Sequence, residues 1–516
     1  MIKILIRRRQ KLINKGYGYL KVEDRLDFLE YLESVLTNTK LDNIKLDDIC
    51  YSYKSDVELS VRQYLVNRVL GEKFNSSLLY SIGANARLRY PLPKEWRKEL
   101  INQGVNIDCF TSALLFFIYS LLYWGHGVMH GIKAIHIFFN KEFKFKRYIY
   151  FDYLIKNANN NCFSENINNY NILNWYLKWK NKAENIRNIR HSVSNQFDFQ
   201  LGGISVTNNG FLPTLEKAKL FQYVYFLMKL SLYYFTTLII RPYQGFLLGE
   251  IIKLKIFELA RKDQLAEDYL FNNSNGVYRP IWTYLVENKG SRVIFYFYST
   301  NDEPFKRNGQ YPSHNLMHLM NWPYYLVWNK FHAAFIKRLN QRNPIIEEVG
   351  VTWFSSGVRE VEIYPNSIAV FDVTPNKFSI YITKGAPFEY RVYDVANQFL
   401  IDVYATLKSN NIRTAFKTKR VHETKCKKYI DNLRELDKNS DFTMLDPSTD
   451  PMQVIKKTKA CISAPFTSTA LIAKFEGRPS VYYDPTGIID KKDRAAHEVP
   501  VLSNIYELQE WVESIN

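Results

Sequence analysis

Apolar residues recur at helical spacing through the first 260 residues, and Val22–Thr37 and Val57–Val69 are predicted as amphipathic helices. Two stretches are more apolar than an ordinary surface helix. Cys109–Ile132 has no Asp, Glu, Lys or Arg, and its densest part is Ala113–Trp124. Leu220–Ile240 is interrupted only by Lys229. A membrane span needs about 20 consecutive apolar residues, whereas 10–14 indicate a buried or interfacial helix. Both stretches are therefore expected in a core or on a bilayer surface rather than across a membrane. The Asn-rich segment Lys156–Asn171 is expected to be a loop, and no internal repeat is evident.

The pattern changes near Asp263. Tyr269–Phe271 is followed by the NNSNG turn, the helical run RPIWTYLVENKG and a β-branched and aromatic run at Val293–Ser299, which is the length of a βαβ unit. A polar loop, Thr300–Tyr311, precedes a predicted helix at Pro323–Leu339 and a strand at Ile345–Phe354. Strands are then predicted at Ser367–Asp372, Thr414–Phe416, Ala460–Ser463 and Ser480–Tyr483, with helices at Tyr393–Asn410, His422–Leu436, after Phe466, and at Ile505–Ile515. Alternation with short connections predicts an α/β fold with largely parallel, doubly wound sheets. Three parts are expected: a mainly helical region (1–260), a first Rossmann-like part (261–354) and a second (355–516), with a hinge in Trp353–Pro365.

Composition places the 516-residue chain among globular proteins, because 46% hydrophobic and 23% charged residues leave no room for a disordered class. Five scattered cysteines without a CxxC argue against a disulfide framework or a zinc ribbon and for a reducing compartment. The start, MIKILIRRRQKLINKG, lacks the apolar stretch of a secretory signal, so a cytoplasmic location is expected. Charge is uneven. Residues from Val351 onward carry 22 Lys/Arg and 21 Asp/Glu, against 47 and 30 before it, so nearly all of the +18 net charge lies in the first two-thirds. That excess favours an anionic partner such as a membrane surface or a lipid pyrophosphate. Nothing resembles a nucleic-acid module, and no nucleic-acid partner is expected.

Three segments carry candidate chemistry. In SAPFTSTALIAKFEG, a strand end feeds Ser463, Pro465, Phe466, Thr467, Ser468 and Thr469, then a helix uninterrupted to Gly477. Hydroxyls and free N–H groups at a helix start favour a phosphate, and such a loop lies where open α/β sheets bind ligands. In FKTKR, Lys417, Lys419 and Arg420 follow another strand and could neutralise a diphosphate. At the next strand end, Tyr483 could stack on a base and Asp484 could accept from a sugar hydroxyl. Each has an ordinary structural reading beside it: a helix cap, a solvated basic turn and a strand-ending turn. Arg279 could meet an anionic ligand. His126 and His130 are four residues apart without a third ligand, so His126 is an acceptor contact at best and no metal is implied.

CISAPFTSTALIAKFEGRPSVYYDPTG resembles the C-terminal half of GT-B glycosyltransferases of bacterial surface-polysaccharide synthesis, in particular the "PFTS motif" polysaccharide biosynthesis proteins. The resemblance covers roughly residues 265–516. It implies two Rossmann-like domains facing a cleft and a peripheral enzyme on the cytoplasmic face of the inner membrane. It also implies transfer from a nucleotide-sugar donor to a glycan or lipid-linked acceptor. The layout is similar to bacterial sialyltransferases and Kdo transferases, which implies a CMP-activated nonulosonic acid or Kdo-type donor held by Ser468-Thr469. The His-Pro element of those enzymes is replaced here by Lys417–Arg420. Their acid–base carboxylate corresponds to Asp302 or Glu303, with Pro304 in place of a glycine. No Asp-x-Asp motif stands near a strand end, so neither metal nor cofactor is expected. A UDP- or GDP-sugar enzyme and a non-enzymatic GT-B-like scaffold are the alternatives.

Overall fold

Among the described residues, fourteen short strands, most of them largely buried, sort into two sheets in the computed structural model. It describes residues 8, 11–12, 22–39, 54–139, 148–152, 171–179, 186–192, 198–201, 203–273, 277–300, 303–306, 309–311, 317–339, 343–352, 361–373, 375, 392–419, 427–447 and 449–515.

The first sheet contains β1 (Tyr148–Phe151), β2 (Asn188–His191), β3 (Phe199–Leu201), β4 (Ile204–Thr207), β5 (Asp268–Asn272), β6 (Arg292–Tyr296), β7 (Tyr324–Val327) and β8 (Ile345–Glu348). Its order is β3-β4-β2-β1-β5-β6-β7-β8, with every pairing parallel except β3–β4. The runs YIYF and DYLFN are buried along their whole length because both faces of a parallel sheet are covered. At the edge, β8 (IIEE) has no buried residue: its ends are exposed and its middle is half-buried.

The second sheet contains β9 (Ser367–Phe371), β10 (Arg413–Lys417), β11 (Phe442–Leu445), β12 (Cys461–Ser463), β13 (Ser480–Tyr483) and β14 (Val501–Leu502). All its pairings are parallel, in the order β11-β10-β9-β12-β13-β14. Ala369 pairs with Ala415 on one side and with Cys461 on the other. Numbered within this unit the order is 3-2-1-4-5-6, that of a doubly wound nucleotide-binding fold. Two parallel, doubly wound sheets give the GT-B-like α/β architecture expected from the sequence.

Several expectations need correction. The first sheet begins at Tyr148 rather than after residue 260, and takes β1–β4 from the region expected to be helical. Within Pro323–Leu339, Tyr324–Val327 is a strand and only Lys330–Leu339 is helical. The strand Phe442–Leu445 and the helix Pro451–Lys457 were not anticipated. The expected loop at 156–171 lies almost wholly outside the described residues, and so does much of the expected hinge.

One face of the first sheet carries the helix Tyr243–Leu259, buried at 13 of its 17 positions, as befits a helix that is apolar all round. Against it pack the helices Cys109–Lys133 and Leu220–Thr237. The core of this layer continues into the second unit through Phe466, Leu471, Ile472 and Tyr482. The far face of the second sheet has its own core with the helices Tyr393–Ser409, Lys427–Leu436 and Ile505–Ser514, using Leu400, Val403, Leu433 and Val512.

Candidate active site

In the second sheet the chain leaves β9 toward β10 on one side and returns to β12 on the other. Ligands bind open α/β sheets at such switch points, outside the carboxyl ends of the strands. Here those ends are Asp372-Val373 after β9, Ala464-Pro465 after β12 and Asp484-Pro485 after β13. Together with Val395, Ala396 and Phe399 they line a small cleft.

The PFTS loop occupies this point. Pro465 has no N–H to continue the ladder, and the Pro465–Phe466 peptide is cis. Thr467 takes the backbone position of an N-cap (φ −76°, ψ 143°), but its hydroxyl makes no cap bond. It donates instead to the Ala464 carbonyl (2.9 Å) and lies 3.0 Å from the Thr469 hydroxyl. Thr469 in turn meets the buried Ser463 hydroxyl at 2.8 Å, and Tyr482 donates from its phenol to the Thr467 carbonyl (3.0 Å). Ser468 accepts at Oγ from the Thr300 N–H of the first unit (3.3 Å). Phe466 packs its ring against Tyr482 and Phe305. The hydroxyls expected to hold a phosphate thus also bond within the loop and across to the first unit. What the loop offers an anion is the backbone N–H groups and dipole at the start of the helix Ser468–Phe475.

Tyr483 is turned into the core, donating to Asp402 Oδ2 (2.6 Å) with its ring on Phe399, so it does not stack on a base. Asp484 is fully buried and accepts from the Thr486 N–H (3.0 Å), the Thr486 hydroxyl (2.5 Å) and the Ile489 N–H (2.9 Å). It closes a strand-ending turn. Lys417 is buried at the end of β10. Burial lowers its pKa, opposed by Asp372, Asp450 and Asp446, so its ammonium already has acidic neighbours. Lys419 is exposed, and its N–H donates to Asp372 Oδ1 (3.0 Å), which places it at the cleft rim. Tyr429 fixes the other oxygen of Asp372 at 2.7 Å. Arg420 and Asp302 lie outside the described residues.

Glu303 faces a different task. It is buried, pairs with Arg338, and lies 3.5 Å from Arg494 and 3.9 Å from His497. Burial raises its pKa against the pull of the two arginines. Around it the loop after β6 and the helix Lys330–Leu339 grip residues 490–498. Lys306 pairs with Asp490 (2.8 Å), Arg494 lies 3.5 Å over the Tyr311 ring, and Asn329 meets His497 at 3.1 Å. His497 and Glu498 both adopt positive φ (50° and 61°), a conformation that side chains rarely take. Glu303 therefore belongs to a clasp between the units rather than to the cleft as a free base.

Arg279 is buried, bonded to Thr283 (3.1 Å) and the Asn321 carbonyl (3.0 Å), paired with Glu287, and stacked 3.8 Å over Tyr284. It borders a pocket with Pro323 and Ile345, at the amino ends of β7 and β8 and away from the cleft edge. His126 is exposed on the helix Cys109–Lys133. Among the described residues no three His, Cys, Asp or Glu gather in a metal-binding group.

Sequence reasoning missed Asp152. It follows β1 at the switch point of the first sheet, between β2 and β5. Its Oδ1 accepts from the Tyr150 hydroxyl (2.8 Å) and the Ser192 hydroxyl (2.9 Å), while its carbonyl accepts from Asn272 (3.2 Å). The run YIYFD before an Asn-rich loop was the available signal: an apolar strand ending in a carboxylate.

A family model described as "Polysaccharide biosynthesis PFTS motif protein" matches residues 231–512. No curated protein sequence matches the chain. Among solved structures, the chain is similar to a variant of the wall teichoic acid polymerase TagF, at TM-score 0.38 and 11% identity, over 76% of this chain and 88% of that one. It is also similar to the glycosyltransferase SnogD from Streptomyces nogalater, at TM-score 0.36 and 9% identity, over 72% and 94%. A third is Phytolacca americana UGT2, solved with UDP-2-fluoro-glucose and pterostilbene, at TM-score 0.37 and 10% identity, over 71% and 90%. The match spans more than half of the sequence and includes both the PFTS loop and the sheet that positions it, so the chain belongs to the PFTS-motif family of polysaccharide biosynthesis proteins.

Proposed function

We propose that the protein is a glycosyltransferase that moves a sugar from a nucleotide-activated donor onto a growing, lipid-linked surface glycan at the cytoplasmic face of the membrane. The observation that carries this reading is the PFTS loop at the switch point of a 3-2-1-4-5-6 sheet, in a chain of a polysaccharide biosynthesis family. The donor phosphate lies at the start of the helix Ser468–Phe475, where backbone N–H groups and the dipole stabilise the leaving group, and exposed Lys419 closes the rim. Transfer on this reading needs no divalent ion. The sequence favours a CMP-activated nonulosonic acid or Kdo-type donor through Ser468-Thr469. With Thr469 bonded inside the loop and Ser468 accepting from Thr300 of the first unit, UDP and GDP donors stand equally with CMP.

The acceptor hydroxyl loses a proton as its bond to the sugar forms, so a carboxylate at the opposing carboxyl edge serves as base. Asp302 is the candidate from the sequence, and Asp152 is favoured by its place at the first sheet's switch point. Removing the base should lower turnover about 10²–10⁴-fold with donor affinity unchanged.

The test is a melting-temperature panel of CMP-, UDP-, GDP- and TDP-sugars followed by sugar-transfer assays of Asp152→Asn and Asp302→Asn in EDTA. One donor class should raise the melting temperature, and one of the two variants should bind it without transferring. No shift with any donor, together with no transfer by the wild type, would leave the scaffold reading in place.

A further inference from the structure

The helices Cys109–Lys133 and Leu220–Thr237 are built inside out. The inward face of the first is Ser112, Phe116, Ser120, Gly127 and Gly131. Its outward face carries Phe110, Leu114, Ile118, Leu122, Met129 and Ile132, all exposed. The second helix repeats this, with Phe221, Tyr225, Met228, Leu232 and Phe235 outward, and Ile239 and Ile240 just beyond its end are more than 80% exposed. The two run antiparallel side by side. Trp124 donates to the Ser231 carbonyl (3.0 Å) and packs on Phe235, and Tyr223 donates to the Gly131 carbonyl (2.8 Å). Their apolar stripes therefore form one continuous face, where isolated exposed apolar residues would need no explanation.

The inward contacts rest on small residues packed against the helix Tyr243–Leu259. Small residues let backbones approach: a Cβ on Gly127 would stand 2.9 Å from the Gly249 nitrogen, and one on Gly245 would fall on the Ser120 carbonyl. Neither helix contains Asp or Glu, and Lys133, Lys217, Lys219 and Lys229 are exposed around the face. Lys217 lies 5.6 Å from the exposed Phe139 ring, so its charge borders the apolar surface directly.

Cys109–Phe138 is the one helix among the described residues long and apolar enough to cross a membrane. Both its ends, however, are tied to the same folded body. The Asp108 N–H donates to the Leu88 carbonyl and the Leu215 N–H to the Ile137 carbonyl. A helix held this way offers one face to a bilayer instead of traversing it.

We propose that this two-helix face is a docking surface for an anionic lipid bilayer, with the apolar stripes sunk at the level of the acyl chains and the bordering lysines at the headgroups. The apolar area supplies affinity and the cations supply selectivity for acidic lipid. This surface stands independently of the sugar-transfer reading.

The test is co-sedimentation of the full chain with phosphatidylcholine vesicles, with or without 30% phosphatidylglycerol (an ordinary working proportion, about a third). Wild type should bind the mixed vesicles at least about 10-fold better than the neutral ones, and added salt should narrow that gap. Leu122→Glu with Leu232→Glu should lose binding about 10-fold or more at an unchanged melting temperature, since both positions are exposed. Lys217→Ala with Lys219→Ala should lose the preference for acidic lipid. Wild type that stays in the supernatant, or a glutamate variant that binds as wild type does, would overturn the proposal. So would light scattering that shows a dimer broken by the glutamates without vesicle binding, because a second copy would then cover the face. A donor-induced melting shift that survives the glutamates separates this outcome from failure of the sugar-transfer reading.

Discussion

His497 shows how a single side chain connects the site to its surroundings. It is almost fully buried in a left-handed turn, beside Glu303, Asn329 and His332. Burial, with Lys474 and Arg338 nearby, lowers its pKa to about 4. The unfolded chain takes up the proton near pH 6.5, the folded one only near pH 4. The stabilisation is complete above pH 6.5 and is lost as pH falls from there toward 4, up to ~3 kcal/mol. His497→Asn, which tolerates the left-handed backbone, should flatten the fall in stability between pH 6.5 and 4 relative to wild type. Urea unfolding at pH 7 and pH 5 measures this, and equal slopes for the two proteins would show that His497 titrates normally. The same residue marks a limit of sequence reading. The motif SAPFTST, its strand-to-helix setting and Lys419 after a strand were visible in one dimension. The partners of each side chain were not. Ser468 is engaged by Thr300, 168 residues away, and Glu303 by Arg338 and Arg494, so hydroxyls and a carboxylate that looked free were already engaged.

Elements depend on how closely their backbones approach. Gly245 meets the Ser120 carbonyl where the helices Tyr243–Leu259 and Cys109–Lys133 cross. Neither glycine nor serine there has an unusual backbone, so the requirement is space. Gly245→Ala should push the helices apart and cost on the order of 1–3 kcal/mol, the range for overpacking a tight core. Gly125→Ala, with open space around it, serves as the control and should be neutral or better. A Gly245→Ala protein as stable as the control would mean that the crossing is looser than described. Most helices and strands after Asp263 were legible because turn residues separate their runs, the strand Phe442–Leu445 and the helix Pro451–Lys457 excepted. β1–β4 were not, since each has only three or four residues among Asn-rich or polar segments. The strand Tyr324–Val327 was read as part of the helix that follows because a Trp- and Tyr-rich run fits either period.

At the scale of the molecule, two doubly wound sheets meet with the PFTS helix between them, a clasp at residues 303–306, 311 and 490–498, and an apolar helical face on the first unit. The charge imbalance between the two parts of the sequence runs parallel to this division: the nearly neutral part builds the sheet proposed to hold the donor, and the basic part carries the helical face proposed to meet acidic lipid. The central claim is that the donor binds at the carboxyl edge of the second sheet. Hydrogen exchange of the full chain, with and without the sugar nucleotide that raises its melting temperature, tests it most directly. The account predicts slower exchange of the amides at Val373, Ala464 and Phe466–Ala470. Protection confined to the pocket around Arg279, Asn321 and Ile345, with none at the PFTS loop, would contradict it.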